Sequence, residues 1–173
     1  MSKLTVYCLP SFASHWLMPR LHDFHIKHPQ IDLHLVAELN EPNFHKEVVD
    51  IGICHGIGDQ HALEHTFLFC DYVYPVISSE LLQKQPLTQL EDLAKTVLLH
   101  DSLPQAKLST SWSRWLLEHG VCNIDCSSGY RFNQVDLIVR AVLDSRGVAL
   151  GRHVLVAKEI ERGRLQPLFN DYE

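Results

Sequence analysis

The sequence predicts an α/β protein of two lobes, and three observations carry that prediction. Strand-like and helix-like segments follow a β-α-β-α-β order over residues 4–54. A second alternating set fills residues 73–173. Between them lies Phe67-Leu68-Phe69-Cys70-Asp71-Tyr72-Val73-Tyr74-Pro75-Val76-Ile77, longer and more aromatic than one ordinary strand needs, as a strand running from one lobe into the other would be. Alternation of this kind implies a mostly parallel sheet with right-handed crossovers. The lobes are placed at 1–72 and 73–173.

Each element has a local reason. Leu4–Cys8 reads as the first strand, and Pro10–Ser14 as the turn into a helix. Trp16, Leu17, Leu21 and Phe24 fall at helical spacing and give residues 15–26 one apolar face. His28-Pro29 ends that helix, because proline restricts the residue before it. Ile31–Val36 alternates and forms the second strand. A short helix over Asn43–Val49 leads to the third strand at Asp50–Cys54, whose β-branched Ile51 and Ile53 suit a strand buried on both faces. In the second half, Glu80–Gln85 and Gln89–Lys95 read as short helices and Thr96–His100 as a strand. Ser111–His119 is a helix with Trp112, Trp115 and Leu116 on one side, stopped by Gly120. Gly129–Phe132 is a short strand, and Gln134–Asp144 a helix burying Val135, Ile138, Val139 and Val142. Gly147–Gly151 is a strand, Val154–Glu161 a helix closed by Gly163, and Leu165–Phe169 the last strand.

Composition narrows the class. The 173 residues are 46 % hydrophobic and 21 % charged, enough apolar material for a real core and too ordered in pattern for a disordered chain. The net charge of −6, with Lys and Arg scattered, argues against nucleic-acid binding by this chain itself. No apolar run has the length to cross a bilayer, and the start is too weak for a signal peptide. Cys8, Cys54, Cys70, Cys122 and Cys126 sit in or beside apolar segments and read as reduced, buried thiols of a cytoplasmic protein.

The most informative stretch is Val49-Asp50-Ile51-Gly52-Ile53-Cys54-His55-Gly56-Ile57-Gly58-Asp59, a strand that empties into a glycine-bearing loop. Gly56 and Gly58 allow a sharp turn and leave backbone N–H groups open to a ligand. Strand ends of this kind are where open α/β sheets bind small molecules.

A longer pattern runs through the chain. Leu4-Thr5-Val6 is followed by Pro10–Ser14, then by Trp16-Leu17-Met18-Pro19-Arg20-Leu21 and Phe24. His28-Pro29, Ile31-Asp32-Leu33, Val49–Ile53 and Gly56–Asp59 come next, then Tyr74-Pro75-Val76 and Leu98-Leu99-His100-Asp101. Trp115-Leu116, Gly120, Gly147–Arg152, Gly163-Arg164-Leu165 and Pro167-Leu168-Phe169 complete it. In order and spacing this resembles the effector-binding domain of LysR-type transcriptional regulators, in the branch of the glycine cleavage and β-lactamase activators. The resemblance implies two Rossmann-like lobes with a central cleft, the type II periplasmic-binding-protein-like fold. It further implies an unidentified small-molecule effector, a homodimer or tetramer, no cofactor and no catalysis. DNA would be contacted only through a winged helix-turn-helix preceding Leu4. The resemblance also places a returning strand and a terminal helix beyond Tyr172. Cys54 stands where this branch commonly has an arginine, so a bidentate carboxylate clamp is lost and a neutral or amphipathic ligand is as reasonable as an amino acid.

By the same resemblance the ligand contacts are Ser11, Phe12, Ala13 and Ser14; Cys54, His55 and Gly56; His100 and Asp101; and Phe132, Asn133 and Gln134. Several have a plainer reading. Ser11 or Ser14 suits an N-cap, as does Asn133, and His55 suits a packed histidine bonded to a carbonyl. The segment Phe67–Tyr74 and the helix 15–26 are expected at subunit contacts.

Two other readings compete. A free-standing solute-binding protein shares the fold, but export fits poorly with unpaired cysteines. His61-Ala62-Leu63-Glu64-His65 matches the H-x-x-E-H pattern of a zinc protease, which needs a long helix where the chain has room for about one turn. His22, His25 and His28 read as a solvated face, and Cys122-x-x-x-Cys126 lacks a second ligand pair.

Overall fold

A computed structural model describes residues 2–40, 44, 48–56, 63–103 and 111–169. The chain divides into two compact units, Met1–Cys70 and Asp71–Glu173.

Unit 1 is a three-stranded parallel sheet in the order β2-β1-β3. Its strands are β1 (Ser2–Cys8), β2 (Ile31–Ala37) and β3 (Ile51–Ile53). The central strand carries the core: Thr5, Val6, Tyr7 and Cys8 are all buried. Asp50 fixes where β3 starts, since its carboxylate accepts the Thr5 N–H at 2.7 Å while its own N–H donates to the Thr5 carbonyl at 3.0 Å. The buried Tyr7 hydroxyl donates to the Glu38 carbonyl at 2.8 Å and ties down the chain leaving β2.

Between β1 and β2 the helix begins earlier than the periodicity predicts. Pro10 occupies its first turn, where the missing N–H is no loss and φ is preset. The run is α1 (Pro10–Phe12), a π-helical turn (Ala13–Leu17) and α2 (Met18–Lys27), with His28 as the C-cap. No residue of α2 is buried; its predicted apolar face is only half covered, and Met18 and Ile26 are exposed.

Unit 2 is a five-stranded mixed sheet in the order β6-β5-β7-β4-β8. Its strands are β4 (Val73–Ser78), β5 (Leu98–Asp101), β6 (Tyr130–Phe132), β7 (Val148–Arg152) and β8 (Leu165–Pro167). Strands β5, β6 and β7 are parallel, whereas β4 runs antiparallel to both β7 and β8. Its helices are α3 (Ser79–Lys84), a 3₁₀ segment (Leu90–Lys95), α4 (Trp112–Glu118), α5 (Val135–Leu143) and α6 (His153–Glu161). Strand alternation sorts the core into two clusters. Ile77, Leu98 and Val148 join Trp112, Trp115 and Leu116 of α4. Tyr74, Val76, Leu99 and Ala149 join Ile138, Val139 and Val142 of α5 and Val156 of α6. The sheet is thus covered on both faces, as an α/β architecture demands.

Four expectations are corrected. Strand β3 is not buried on both faces: it lies at the end of the sheet and Ile51 is 47 % exposed. The apolar run 67–77 is not one crossing strand. Only Val73 onward pairs, while Phe67, Leu68 and Tyr72 are irregular and more than half exposed. Aromatic content alone made that run look like a strand, but a strand needs a ladder partner. Of the five free cysteines, only Cys8 is buried; Cys54, Cys70 and Cys122 are exposed. The first helix starts at Pro10 rather than near residue 15. The helix expected over Asn43–Val49 and the loop Ile57-Gly58-Asp59 lie largely or wholly outside the described residues.

Candidate functional site

Both sheets repeat one topology. In unit 1 the chain goes from β1 to a neighbour on one side, then crosses to β3 on the other. In unit 2 it goes from β5 to β6 on one side, then crosses to β7 on the other. Each crossing leaves a crevice outside the carboxyl ends of the central pair, the position where open α/β sheets hold ligands.

In unit 1 that crevice is flanked by Leu9–Ser14 after β1 and Cys54–Gly56 after β3. The register pairs Cys8 with Ile53 and brings the two segments to the same edge. The tight exit from β1 follows from Leu9, which is extended and acts as the N-cap, with Pro10 immediately inside the helix. Neither serine is the cap. No side chain caps at Leu9, and the Ser14 hydroxyl donates to the Ser11 carbonyl at 3.2 Å. Ser11 and Phe12 are half-buried, Ala13 is buried and Ser14 is exposed. Phe12 stacks on Trp16 at 4.9 Å between centroids, and Phe69 lies against both rings. Cys54, His55 and Gly56 are exposed, and Gly56 has φ +131°, which suits glycine. Burial, with Cys54 nearby, pushes the Cys8 thiol up, so this cysteine stays protonated.

In unit 2 the strand ends bring together Asp101 at the end of β5, Phe132 at the end of β6 with Asn133 and Gln134 after it, and Arg152 at the end of β7. Asn133 is not the N-cap of α5; that position is Gln134, and its side chain makes no capping bond. Asn133 and Gln134 are exposed and Phe132 is half-buried. The Asp101 carboxylate accepts the Leu103 N–H at 2.9 Å, yet burial still raises its pKa above the ordinary carboxylate value. His100 is buried, and its Nε2–H donates to the Ser128 carbonyl at 2.7 Å, holding the chain that leads into β6.

Burial lowers the His100 pKa, so protonation is resisted in the folded state. The unfolded chain binds that proton at a higher pH, so the stabilisation is complete above the ordinary histidine pKa and is lost as the pH falls from there through the lowered folded value. His100→Gln keeps a donor and does not titrate. It is expected to flatten the acid limb of a melting-temperature profile between pH 7 and 5, and an unchanged slope would contradict the assignment.

Sequence reasoning missed four residues at this edge: Asp71, Tyr74, Arg152 and His153. Because β4 is antiparallel to β7, with Val73 opposite Arg152, the start of β4 lies beside the end of β7. Asp71 Oδ1 accepts the Val154 N–H at 3.0 Å and so caps the first turn of α6, while its Oδ2 lies 3.9 Å from Arg152. Burial lowers the Arg152 pKa, and Asp71 and Asp101 partly restore it. Tyr74 Oη is 2.7 Å from His153 Nδ1. Burial, with Asp71 nearby, pushes the Tyr74 phenol up to about 12. Gly147–Arg152 carried a signal as a motif, but only a reversed β4 connects it to Asp71 and Tyr74.

The alternatives gain little. Residues 64–72 are irregular, so Glu64 and His65 lie on no helix, and His61 is outside the described residues. No group of three metal-ligating side chains occurs among the described residues. A groove of about 310 Å³ lined by Leu21, Phe24, His25, Pro29, Ile31 and Leu33 lies at the amino end of β2, away from the strand ends above. No helix among the described residues is long and apolar enough to cross a membrane.

Comparisons with known proteins agree with this fold. A family model described as LysR substrate binding domain matches residues 1–172. The glycine cleavage system transcriptional activator of Escherichia coli K12 is 37 % identical over 169 residues, covering 97 % of this chain and 54 % of that protein. The HTH-type transcriptional regulator DsdC of the same organism is 34 % identical over 171 residues, covering 97 % and 55 %. The chain thus spans about half the length of the curated relatives it matches. Among solved structures, the effector domain of the transcriptional regulator AmpR of Pseudomonas aeruginosa aligns with a TM-score of 0.78 at 26 % identity, over 98 % of this chain and 79 % of that one.

Proposed function

The chain belongs to the LysR substrate binding domain family, and from that premise we propose that it senses a small-molecule effector on behalf of a transcriptional regulator. The observation that carries this reading is the repeated strand crossing, which gathers most of the expected contacts at the carboxyl ends of the parallel strands. In unit 1 the contacts are Ser11, Phe12, Ala13, Ser14, Cys54, His55 and Gly56. In unit 2 they are Asp101, Phe132, Asn133 and Gln134, with His100 supporting from beneath through Ser128. The π-helical turn directly after Phe12 adds support, since such turns recur at functional sites.

An effector changes a regulator only by binding one arrangement more tightly than another, and equal affinity shifts nothing. The arrangement in question is the assembly of copies. Phe67, Leu68, Tyr72, Met18 and Ile26 are exposed apolar residues on the two segments assigned to subunit contact. DNA is contacted by another part of the regulator, consistent with the scattered basic residues. The domain performs no catalysis and works in the cytoplasm, as its exposed free thiols suit.

The test is the melting temperature of the purified chain against amino acids, small organic acids, muropeptides and divalent metals. A ligand that binds only the folded state raises it by an amount set by concentration over Kd, about 2.7 kcal/mol at a hundredfold excess over Kd. The expected result is a rise with one organic class, abolished by Ser11→Ala or Asn133→Ala. A rise with zinc alone, lost in His61→Ala or His65→Ala, would overturn the reading.

A further inference from the structure

Resting on the effector-sensing reading, we propose that Phe69 links the candidate ligand turn to the joint between the two units, holding the chain to Phe12 and Trp16 up to a one-residue pivot at Cys70. Residues 64–72 are irregular, so no strand or helix ladder fixes them. Phe69 is the last side chain of this run held in unit 1. Its ring centroid lies 6.4 Å from that of Phe12 and 5.4 Å from that of Trp16. It is 39 % exposed, against 77 % for Phe67 and 56 % for Leu68, so of the three it is the one turned inward. Trp16 is itself fixed: the Arg20 guanidinium lies 4.3 Å from its ring centroid, and Arg20 Nη1 donates to its carbonyl at 2.8 Å.

Asp71 is the first residue held in unit 2. Its Oδ1 accepts the N–H groups of Tyr72 and Val154, both at 3.0 Å, and the Tyr72 carbonyl accepts the His153 N–H at 2.8 Å. Cys70 alone lies between these two holds. Its thiol is exposed, and among the described residues no hydrogen bond, ion pair or ring contact involves it. Rotation about φ and ψ of one free residue bends the chain at a defined point. Hinges of moving domains are built from a few such positions. The length of the pivot depends on Phe69. Thr66, Phe67 and Leu68 likewise enter no hydrogen bond, ion pair or ring contact among the described residues, so releasing the Phe69 ring extends the free run from Cys70 back to Thr66. Phe12 is also an expected effector contact. A ligand that shifts Phe12 therefore acts on the pivot through Phe69, which is a positioning residue.

Backbone nitrogen-15 relaxation of the full chain tests this. Cys70 should show an order parameter below about 0.6, between flanks at Phe69 and Asp71 near about 0.85. Phe69→Ala should carry the low values back to Thr66, and Phe12→Leu, which removes a stacking partner, should do the same. Phe69→Tyr keeps the ring and should leave the unsubstituted profile. Because Phe69 is partly exposed, its truncation should shift the melting temperature by less than about 4 °C, so the spread of mobility is not general unfolding. Low values already running from Thr66 to Cys70 in the unsubstituted chain, a Cys70 as rigid as its flanks, or a profile that Phe69→Ala leaves unchanged would overturn the pivot. A spread in Phe69→Ala that Phe12→Leu fails to reproduce would overturn the link to the ligand turn. These results bear on the joint alone; the effector reading is decided separately, by the melting-temperature panel with Ser11→Ala and Asn133→Ala.

Discussion

Gly129→Ala should strip the β5–β6 edge from the second sheet and be among the most damaging single changes in the chain. Gly129 has φ +119°, and a Cβ there would lie 2.0 Å from the Leu98 carbonyl oxygen. That oxygen is backbone at the start of β5, so it cannot swing away as a flexible side chain would. Left-handed strain of about 1–3 kcal/mol and the displacement of β5 together give a loss of roughly 3–5 kcal/mol. The same strands carry the candidate contacts, with Asp101 paired to Phe132 and His100 bonded to the Ser128 carbonyl beside the glycine. Ligand response should therefore fall together with stability. Urea unfolding followed by tryptophan fluorescence measures the first and the melting-temperature panel the second. A loss below about 1 kcal/mol would show that the segment before β6 relaxes freely, contrary to the close approach in this fold.

Trp112→Ala is the second large effect. Trp112 is 2 % exposed, lies in the cluster with Ile77, Leu98 and Val148, and meets Trp115 edge-on at 6.1 Å. Its indole N–H donates to the Leu99 carbonyl at 3.0 Å, so it both fills the core and fastens α4 to β5. Truncation removes a large buried volume and should destabilise by about 3–5 kcal/mol. Trp112→Phe keeps most of the ring and loses the donor, and should lie between alanine and the native residue. If phenylalanine proves as damaging as alanine, the hydrogen bond rather than the volume governs the site. If alanine costs less than about 2 kcal/mol, α4 can collapse onto β5 without it.

The elements of unit 2 were legible because each helix there presents a periodic apolar stripe to a sheet covered on both faces. Val135, Ile138, Val139 and Val142 on α5 are the clearest example: three of the four are buried. Unit 1 was less legible. The stripe Trp16, Leu17, Leu21 and Phe24 is real, but nothing among the described residues buries it fully. Pro10 suits a turn by local chemistry, but in the first helical turn it starts the helix. The serines and Asn133 had capping chemistry without the capping place, because a cap is decided by backbone dihedrals one or two residues away.

The alternation of strands and helices, and the segments that follow the parallel strands, are legible in the residues because local spacing and turn chemistry act over a few positions. The family is legible only as a resemblance along nearly the whole chain. The tertiary structure decided what those segments meet. Only the reversed β4, pairing Val73 with Arg152, sets Asp71 against α6 and Tyr74 against His153. Only the register of β1 on β3 places Leu9–Ser14 beside Cys54–Gly56. Strand direction and partner choice are fixed by contacts between residues far apart in sequence, such as Ser2 with Ile31 and Val76 with Pro167, and no local pattern encodes them.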